Sequence, residues 1–457
     1  MTPSLSIAEA AVRIQTGRLD PRDLVTQCLD RIDRYDGQIR AWVVVDRSGA
    51  IAAAETARAE LANGIYRGPL HGIPVGIKDL VDVAGLPTLA GSPLRAGHRA
   101  ETDAPIVAAL REAGAILLGK TVTVEFAAFD PPPTRNPWDP ALGHTPGGSS
   151  SGSAAAVAMG MCVGAIGTQT GGSLVRPASY CGIATCKPTF GRLSTAGIVP
   201  LSYHLDHPGP MARTVWDLAA MLRAMLPQAG LEPPDSSRPP RLGLVETFYM
   251  ARADVAVREA VGMAAERLAG QGATIEPVRL PIDFQEVLDM HWRIMAVEAA
   301  AYHRRQFAAH RQQYGPMIAR LLDEGLEISG VDYAAALAHQ RAFRRDVVDL
   351  LGPYDALLMP ATDTTAPPRL DTTGARDFQA PWSYAGLPVV SFPCGLAADA
   401  MPVALQLVQR PDQESLLLAT ARWCERALEF RELPPWQLWT ANEMETRGGD
   451  PPKEVAD

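Results

Sequence analysis

Short apolar segments alternate with stretches of helical periodicity as far as about residue 225, and this alternation constrains the fold more than any other feature. Residues 73–77, ending at Lys78, and 115–118 read as buried strands. Helical patterns at 51–62, 105–113 and 154–161 separate such strands. A chain of this kind buries its strands in one sheet and covers them with helices, which predicts an α/β fold. Strand-like segments return at 356–359, 389–392 and 403–408, so the sheet is expected to be completed late in the chain.

The remaining stretches set the expected organisation. The first fifty residues read as helices, with apolar positions at helical spacing in 7–14 and 24–32. Asp20-Pro21 has the form of a helix start. Residues 227–240, polar and proline-rich, form the best linker candidate, and 254–350 reads as mostly helical. We therefore expect a single domain over 1–446. It comprises N-terminal helices (1–65), a core (66–226), the helical region (254–350) and a returning core (351–430), followed by a disordered tail at 447–457.

The composition, 47% hydrophobic and 20% charged, is that of a soluble globular protein. A net charge of −9 without a basic stripe argues against a nucleic-acid partner. The longest apolar run, 154–166, is too short and too rich in Gly and Ala to span a bilayer. Glu9, Arg13 and Arg18 interrupt any signal-peptide core, so a cytoplasmic location is expected. The six cysteines include no CxxC pair and read as buried free thiols, with no metal site.

Gly114-Ala-Ile-Leu-Leu-Gly119-Lys120-Thr121 matches the P-loop pattern letter for letter. A P-loop, however, follows a strand and cradles phosphate with flexible backbone. Here a helix precedes the motif and its interior is an apolar strand, so nucleotide binding is not expected.

Two other features point to chemistry. Of 42 basic residues only four are lysine: Lys78, Lys120, Lys187 and Lys453. An arginine keeps its proton in a protein whereas a buried lysine can lose it, so an internal lysine is a candidate for work arginine cannot do. The second feature is Pro146-Gly-Gly-Ser149-Ser150-Ser151-Gly152-Ser153, followed after 17 residues by Gly171-Gly172-Ser173. An alanine-rich apolar helix follows the first run directly, which a flexible linker would not need. A nucleophilic serine requires a base and converging N–H donors for the oxyanion. The Thr170-Gly171-Gly172-Ser173 turn can supply the donors from its own backbone. Since the nine histidines show no catalytic spacing, Lys78 is the candidate base.

Together these stretches resemble the amidase-signature family over nearly the whole chain. The resemblance rests on Gly72-Ile-Pro-Val-Gly-Ile-Lys78-Asp79, Gly119-Lys120-Thr121, Asn136-Pro-Trp-Asp139 and the Gly/Ser block. It continues through Gly167-Thr-Gln-Thr-Gly-Gly-Ser173, Cys186-Lys187-Pro188-Thr189-Phe-Gly191-Arg192, Gly209-Pro-Met-Ala-Arg-Thr214 and Ala385-Gly-Leu-Pro-Val-Val-Ser391. It implies one large domain with a mixed, twisted central sheet flanked by helices, the Gly/Ser loops lying at one edge of the sheet. It also implies hydrolysis of a small amide without cofactor. The family's triad of a lysine, a serine after a cis peptide bond and a nucleophilic serine 24 residues later falls on Lys78, Ser149 and Ser173. Ser150 and Ser151 would break that spacing. Lys120 and Lys187 match motif positions with no triad role and read as structural.

The chain departs from the usual Ser-Ile-Arg-x-Pro run with Ser173-Leu174-Val175-Arg176-Pro177, and carries Gln169 where aspartate is common. Both changes resemble the malonamidase-like branch, in which an arginine engages a substrate carboxylate. Arg176 then either holds such a carboxylate through a bidentate contact or braces the loop. The region 280–350, which sets substrate choice in the family, offers His291, Trp292, Met295 and Tyr302, with core packing an equal explanation for Trp292 and Met295. The alternatives are a transamidating protein resembling the one that makes glutaminyl-tRNA, which requires a partner, and a non-catalytic scaffold. Homodimers are common among similar proteins, but the sequence carries no independent sign of one.

Overall fold

The computed structural model describes residues 5–227, 230–231, 238–439 and 453–454. Its strands are β1 (Trp42–Val45), β2 (Pro74–Lys78), β3 (Ile116–Thr121), β4 (Gly164–Gln169), β5 (Ala184–Lys187) and β6 (His207–Ala212). They continue with β7 (Arg241–Val245), β8 (Thr274–Val278), β9 (Ala356–Pro360), β10 (Val389–Leu396), β11 (Pro402–Val408) and the two-residue β12 (Lys453–Glu454). All belong to one mixed sheet. Eleven strands run in the order β1-β3-β2-β4-β6-β5-β10-β11-β9-β7-β8, with β12 added in parallel beside β1. Strands β3, β2 and β4 are mutually parallel, as are β9, β7 and β8, while the segment from β4 to β9 is antiparallel throughout.

The helices are α1 (Ile7–Gln15), α2 (Pro21–Ile39), α3 (Arg47–Ala62), α4 (Pro105–Glu112), α5 (Ser151–Ala158), α6 (Val175–Tyr180) and α7 (Val215–Met225). After β7 come α8 (Val255–Gly270), α9 (Phe284–His310), α10 (Pro316–Glu327), α11 (Gly330–Leu350), α12 (Ala380–Ala385) and α13 (Glu414–Leu428). Asp20 caps α2 by accepting the Arg22 N–H, with Pro21 in its first turn. The expected α/β fold with one mixed sheet and covering helices is thus the observed one.

Two readings of local pattern need correction. Trp42–Val45 lies in a stretch read as helical, but its three successive valines are stiff at χ1 and pair with β3. Likewise Thr274–Val278, inside the stretch read as mostly helical, is an edge strand parallel to β7. The P-loop match falls on β3, where Ile116 to Thr121 are all buried. The linker at 227–240 and the tail at 447–457 lie largely outside the described residues.

The main core fills both faces of the sheet, and a second cluster lies between α9, α10 and the 126–128 segment. Met295 belongs to that second cluster, whereas Trp292 is only partly buried against it. Helix α5 lies wholly in the interior because its side chains are small. A Cβ at Gly152 would stand 2.3 Å from both Ala41 O and Val122 N, so only glycine permits this approach. The Gly/Ser loops lie at the carboxyl ends of the adjacent parallel strands β2 and β4. These strands are in the middle of the sheet, not at its edge, and crevices at such strand ends are where α/β sheets place ligands.

Candidate active site

Strand β2 delivers Lys78 into the interior, where it is fully buried. Its Nζ lies 2.7 Å from Ser149 Oγ, 2.9 Å from Ser150 Oγ and 2.8 Å from Thr168 Oγ1. Burial, the largest influence, drives its pKa well below the ordinary lysine value; Asp206 opposes the shift and Arg176 adds to it. The direction of this shift favours the neutral amine, which has two N–H donors and one lone pair. Ser150 spends its own proton on Thr168 O at 3.2 Å, so it accepts from Lys78. With Thr168 Oγ1 accepting a second N–H, a neutral amine would keep its lone pair for the Ser149 hydroxyl, whereas a charged one would donate to all three hydroxyls.

The Gly148–Ser149 peptide bond is cis. Ser149 O accepts the Val124 N–H at 3.3 Å, and Gly148 O accepts Arg176 Nε at 3.2 Å and Nη2 at 2.7 Å. Arg176 Nη1 donates to Gly374 O at 2.8 Å. The Arg176 guanidinium is thus buried and committed to backbone carbonyls, the bonding of a loop brace. Gly147, at φ 78°, lets the loop pass Pro177, whose Cα is 2.9 Å from where a Cβ would stand.

Past the end of β4 the chain turns through Thr170, Gly171, Gly172 and Ser173. All four carbonyls of this turn are occupied. Thr170 O accepts His291 Nε2 at 3.0 Å and Gly171 O accepts Ser383 Oγ at 3.0 Å. Gly172 O accepts Arg176 N at 2.9 Å and Ser173 O accepts Ser150 N at 3.3 Å. Among the described residues, nothing accepts the four N–H groups of this turn, and nothing bonds the Ser173 hydroxyl. A turn whose acceptors are tied and whose donors are free has the pattern of an anion-binding nest. The Ser150 contact also draws Ser173 against the block that carries Ser149.

The surroundings hold this turn rigid. Gln169 Oε1 accepts the N–H groups of Leu174 and Val175, and its Nε2 donates to Ser383 Oγ at 3.0 Å. Asp206 accepts the Thr170 hydroxyl and the backbone N–H groups of Leu201 and Ser202, while burial raises its pKa to about 6. Burial lowers His291 to about 3, so the ring is neutral and its Nε2 carries the proton given to Thr170 O.

The structure therefore brings Lys78, Ser149 and the 170–173 turn together and places Arg176 behind the Ser149 loop. His291, Ser383 and Gln379 are neighbours that sequence reasoning did not place here. Gln379 Oε1 lies 2.3 Å from where a Cβ at Gly172 would stand. Ser383 precedes one matched motif by two residues, the only signal that pointed toward it. Lys120 is tied to Asp79, Thr88 and Pro87, and Lys187 to Leu387 O, both away from the serines.

The amidase family model matches residues 23–418. An amidase of Pseudomonas putida is 34% identical over 465 residues, covering 94% of this chain and 97% of that one. A glutamyl-tRNA(Gln) amidotransferase chain of Anaeromyxobacter sp. (strain K) is 35% identical over 486 residues, covering 94% and 98%. The native peptide amidase of Stenotrophomonas maltophilia superposes with a TM-score of 0.79 at 31% identity, covering 94% of this chain and 98% of that one. No helix among the described residues is long and apolar enough to cross a membrane.

Proposed function

The chain belongs to the amidase family and is an amide-hydrolysing enzyme, and on that premise we propose that it cleaves a small carboxylic amide through an acyl-enzyme on Ser173. Ser173 Oγ attacks the amide carbonyl as its proton passes to Ser149, and the Ser149 proton passes to the neutral Lys78 amine. The oxyanion that forms is held by the free N–H groups of the 170–173 turn. As the C–N bond breaks, Ser149 protonates the leaving nitrogen and is reprotonated by Lys78. Water then attacks the Ser173 ester by the same relay, releasing the acid and restoring the serine.

The observation that carries this reading is the 2.7 Å contact between Lys78 Nζ and Ser149 Oγ at a lysine without solvent contact. A charged lysine there could only donate, whereas a neutral one can receive the proton. In this reading Arg176 positions the Ser149 loop.

The test is labelling with a fluorophosphonate probe and location of the adduct by peptide mass spectrometry. Labelling at Ser173 that disappears in Lys78→Ala supports the relay. Unchanged labelling in Lys78→Ala, or an adduct on another serine, removes it.

The 35% identity to an amidotransferase chain favours a second reading, a protein that passes ammonia to an acylated acceptor held by a partner. Sustained turnover of free small amides by the purified chain alone decides for the hydrolase. Labelling without turnover, restored by a co-purifying partner, decides for the transferase.

A further inference from the structure

A second arginine, remote in sequence from the nucleophile turn, stands beside it without the bonds that occupy Arg176. The Cδ of Arg376 lies 3.4 Å from where a Cβ at Gly171 would stand, with His291 Cε1 next at 3.6 Å. Its guanidinium carbon is 4.6 Å from the Trp292 ring centroid and 5.7 Å from that of Phe129. Trp292 is itself fixed by donating its indole N–H to Glu324 at 2.9 Å. Arg376 Nη1 is shut off from solvent and has no hydrogen-bond partner among the described residues, and no carboxylate there forms an ion pair with the side chain.

Two acids lie nearby, but each is engaged elsewhere. Asp377 pairs with Arg252 at 3.0 Å, and Asp289 accepts Gln285 Nε2 at 2.9 Å. Arg376 also borders a cavity of about 470 Å³, together with Leu288, Asp289, Trp292, Arg293 and Asp377.

A guanidinium removed from water needs acceptors for its rigid fork of donors, and stacking on aromatic faces recovers only part of that requirement. Arg176, more deeply buried beside the same turn, has met it with three bonds to backbone carbonyls, whereas Arg376 is half-buried with its Nη1 alone shut off from solvent and unpartnered among the described residues. Arg376 thus keeps one buried donor without an acceptor while its side chain spans from the cavity to the flank of Gly171.

We propose that Arg376, stacked on Trp292 beside Gly171, binds a carboxylate on the acyl part of the substrate. The substrate is then an amide whose scissile carbonyl is only a few bonds from a second, free carboxylate. This rests on the reading of Ser173 as nucleophile. It transfers anion recognition from Arg176, whose fork is filled, to Arg376, whose Nη1 has no partner among the described residues.

The test compares malonamate and succinamate with propionamide and butyramide, in which a methyl replaces the carboxylate, for the wild type, Arg376→Gln and Arg376→Lys. A charge-assisted contact predicts that Arg376→Gln lowers kcat/KM about 10- to 100-fold more for the carboxylated amides than for the uncharged ones. Arg376→Lys, which keeps the charge but loses the fork, falls between and covers the case in which the glutamine variant does not fold.

In parallel, malonate, succinate and glutarate are titrated calorimetrically into Ser173→Ala, with and without Arg376→Gln. Binding that depends on Arg376 supports the proposal whether or not Ser173 takes a fluorophosphonate. An equal loss for both amide series, or dicarboxylate binding indifferent to Arg376, overturns it. Ser173 labelling without any preference for carboxylated amides likewise overturns it, leaving the nucleophile assignment standing.

Discussion

Ser383→Ala tests whether the turn is held by the bonds to its carbonyls. Ser383 is fully buried, accepts Gln169 Nε2 and donates to Gly171 O, both at 3.0 Å. Removing one hydroxyl therefore strands two buried polar groups, a donor and an acceptor. Each such group costs about 1–3 kcal/mol, and the space vacated by one oxygen is too small for a replacement water, so the variant should lose about 2–6 kcal/mol of stability. Gly171 O would also lose the bond that fixes its peptide plane. Losing an oxyanion donor outright costs about 100- to 1,000-fold in rate. A donor misaligned while its neighbours stay anchored should cost about 10- to 100-fold, read as the rate of fluorophosphonate labelling. Ser391→Ala provides the matched control, because Ser391 is equally buried but its hydroxyl has no partner among the described residues. Its loss should change stability by less than about 1 kcal/mol, or raise it. Urea unfolding of both variants beside the wild type gives the comparison. Equal stabilities for the two variants, or Ser383→Ala labelling at the wild-type rate, would refute the reasoning.

Other expectations follow from burial and close contact. Lys187, whose pKa burial lowers from 10.5 to about 7, donates to Leu387 O; at about 1.4 kcal/mol per unit, that fall costs about 5 kcal/mol at neutral pH. The unfolded lysine holds its proton up to 10.5 and the folded one releases it above 7, so this penalty fades as pH rises between those values. Lys187→Met should thus be more stable than wild type at pH 7 and lose that advantage by pH 10.5, and equal pH slopes in the two proteins would contradict it. In the proposed relay Lys78 is a neutral base, so with its pKa depressed by burial activity should persist at pH values far below 10.5 and fall as acid protonates the amine; a kcat/KM profile that rises only above about pH 10 would exclude this. Gly152→Ala places a methyl 2.3 Å from two backbone atoms, and should cost at least about 1–3 kcal/mol and slow Ser173 labelling by shifting the Ser149 loop. Wild-type stability in that variant would show that α5 can move freely.

Part of this architecture is legible in the sequence because it depends on period and spacing. The apolar run ending at Lys78 became β2, and the alternation of strand and helix became the sheet with its covering helices. The Gly/Ser runs marked the two loops now in contact, and the 24-residue interval matched Ser149 and Ser173 to the family pattern. Local pattern failed where a segment's state is set by its neighbours. Trp42–Val45 is a strand because β3 lies beside it, and Thr274–Val278 because β7 does.

The sequence by itself determined which residues could do the chemistry: a few lysines among many arginines, and serines set among glycines. Only the tertiary structure decided which arginine is bound up by backbone carbonyls, which keeps an unpartnered nitrogen among the described residues, and which groups clamp the turn. Arg176 is three residues from Ser173 and its bonds are filled, while Arg376, His291 and Ser383 arrive from far along the chain. The physical reason is that a buried polar group must find its partner wherever the fold supplies one. Whether any group is satisfied is therefore a property of the whole packed chain, not of its own neighbourhood in sequence.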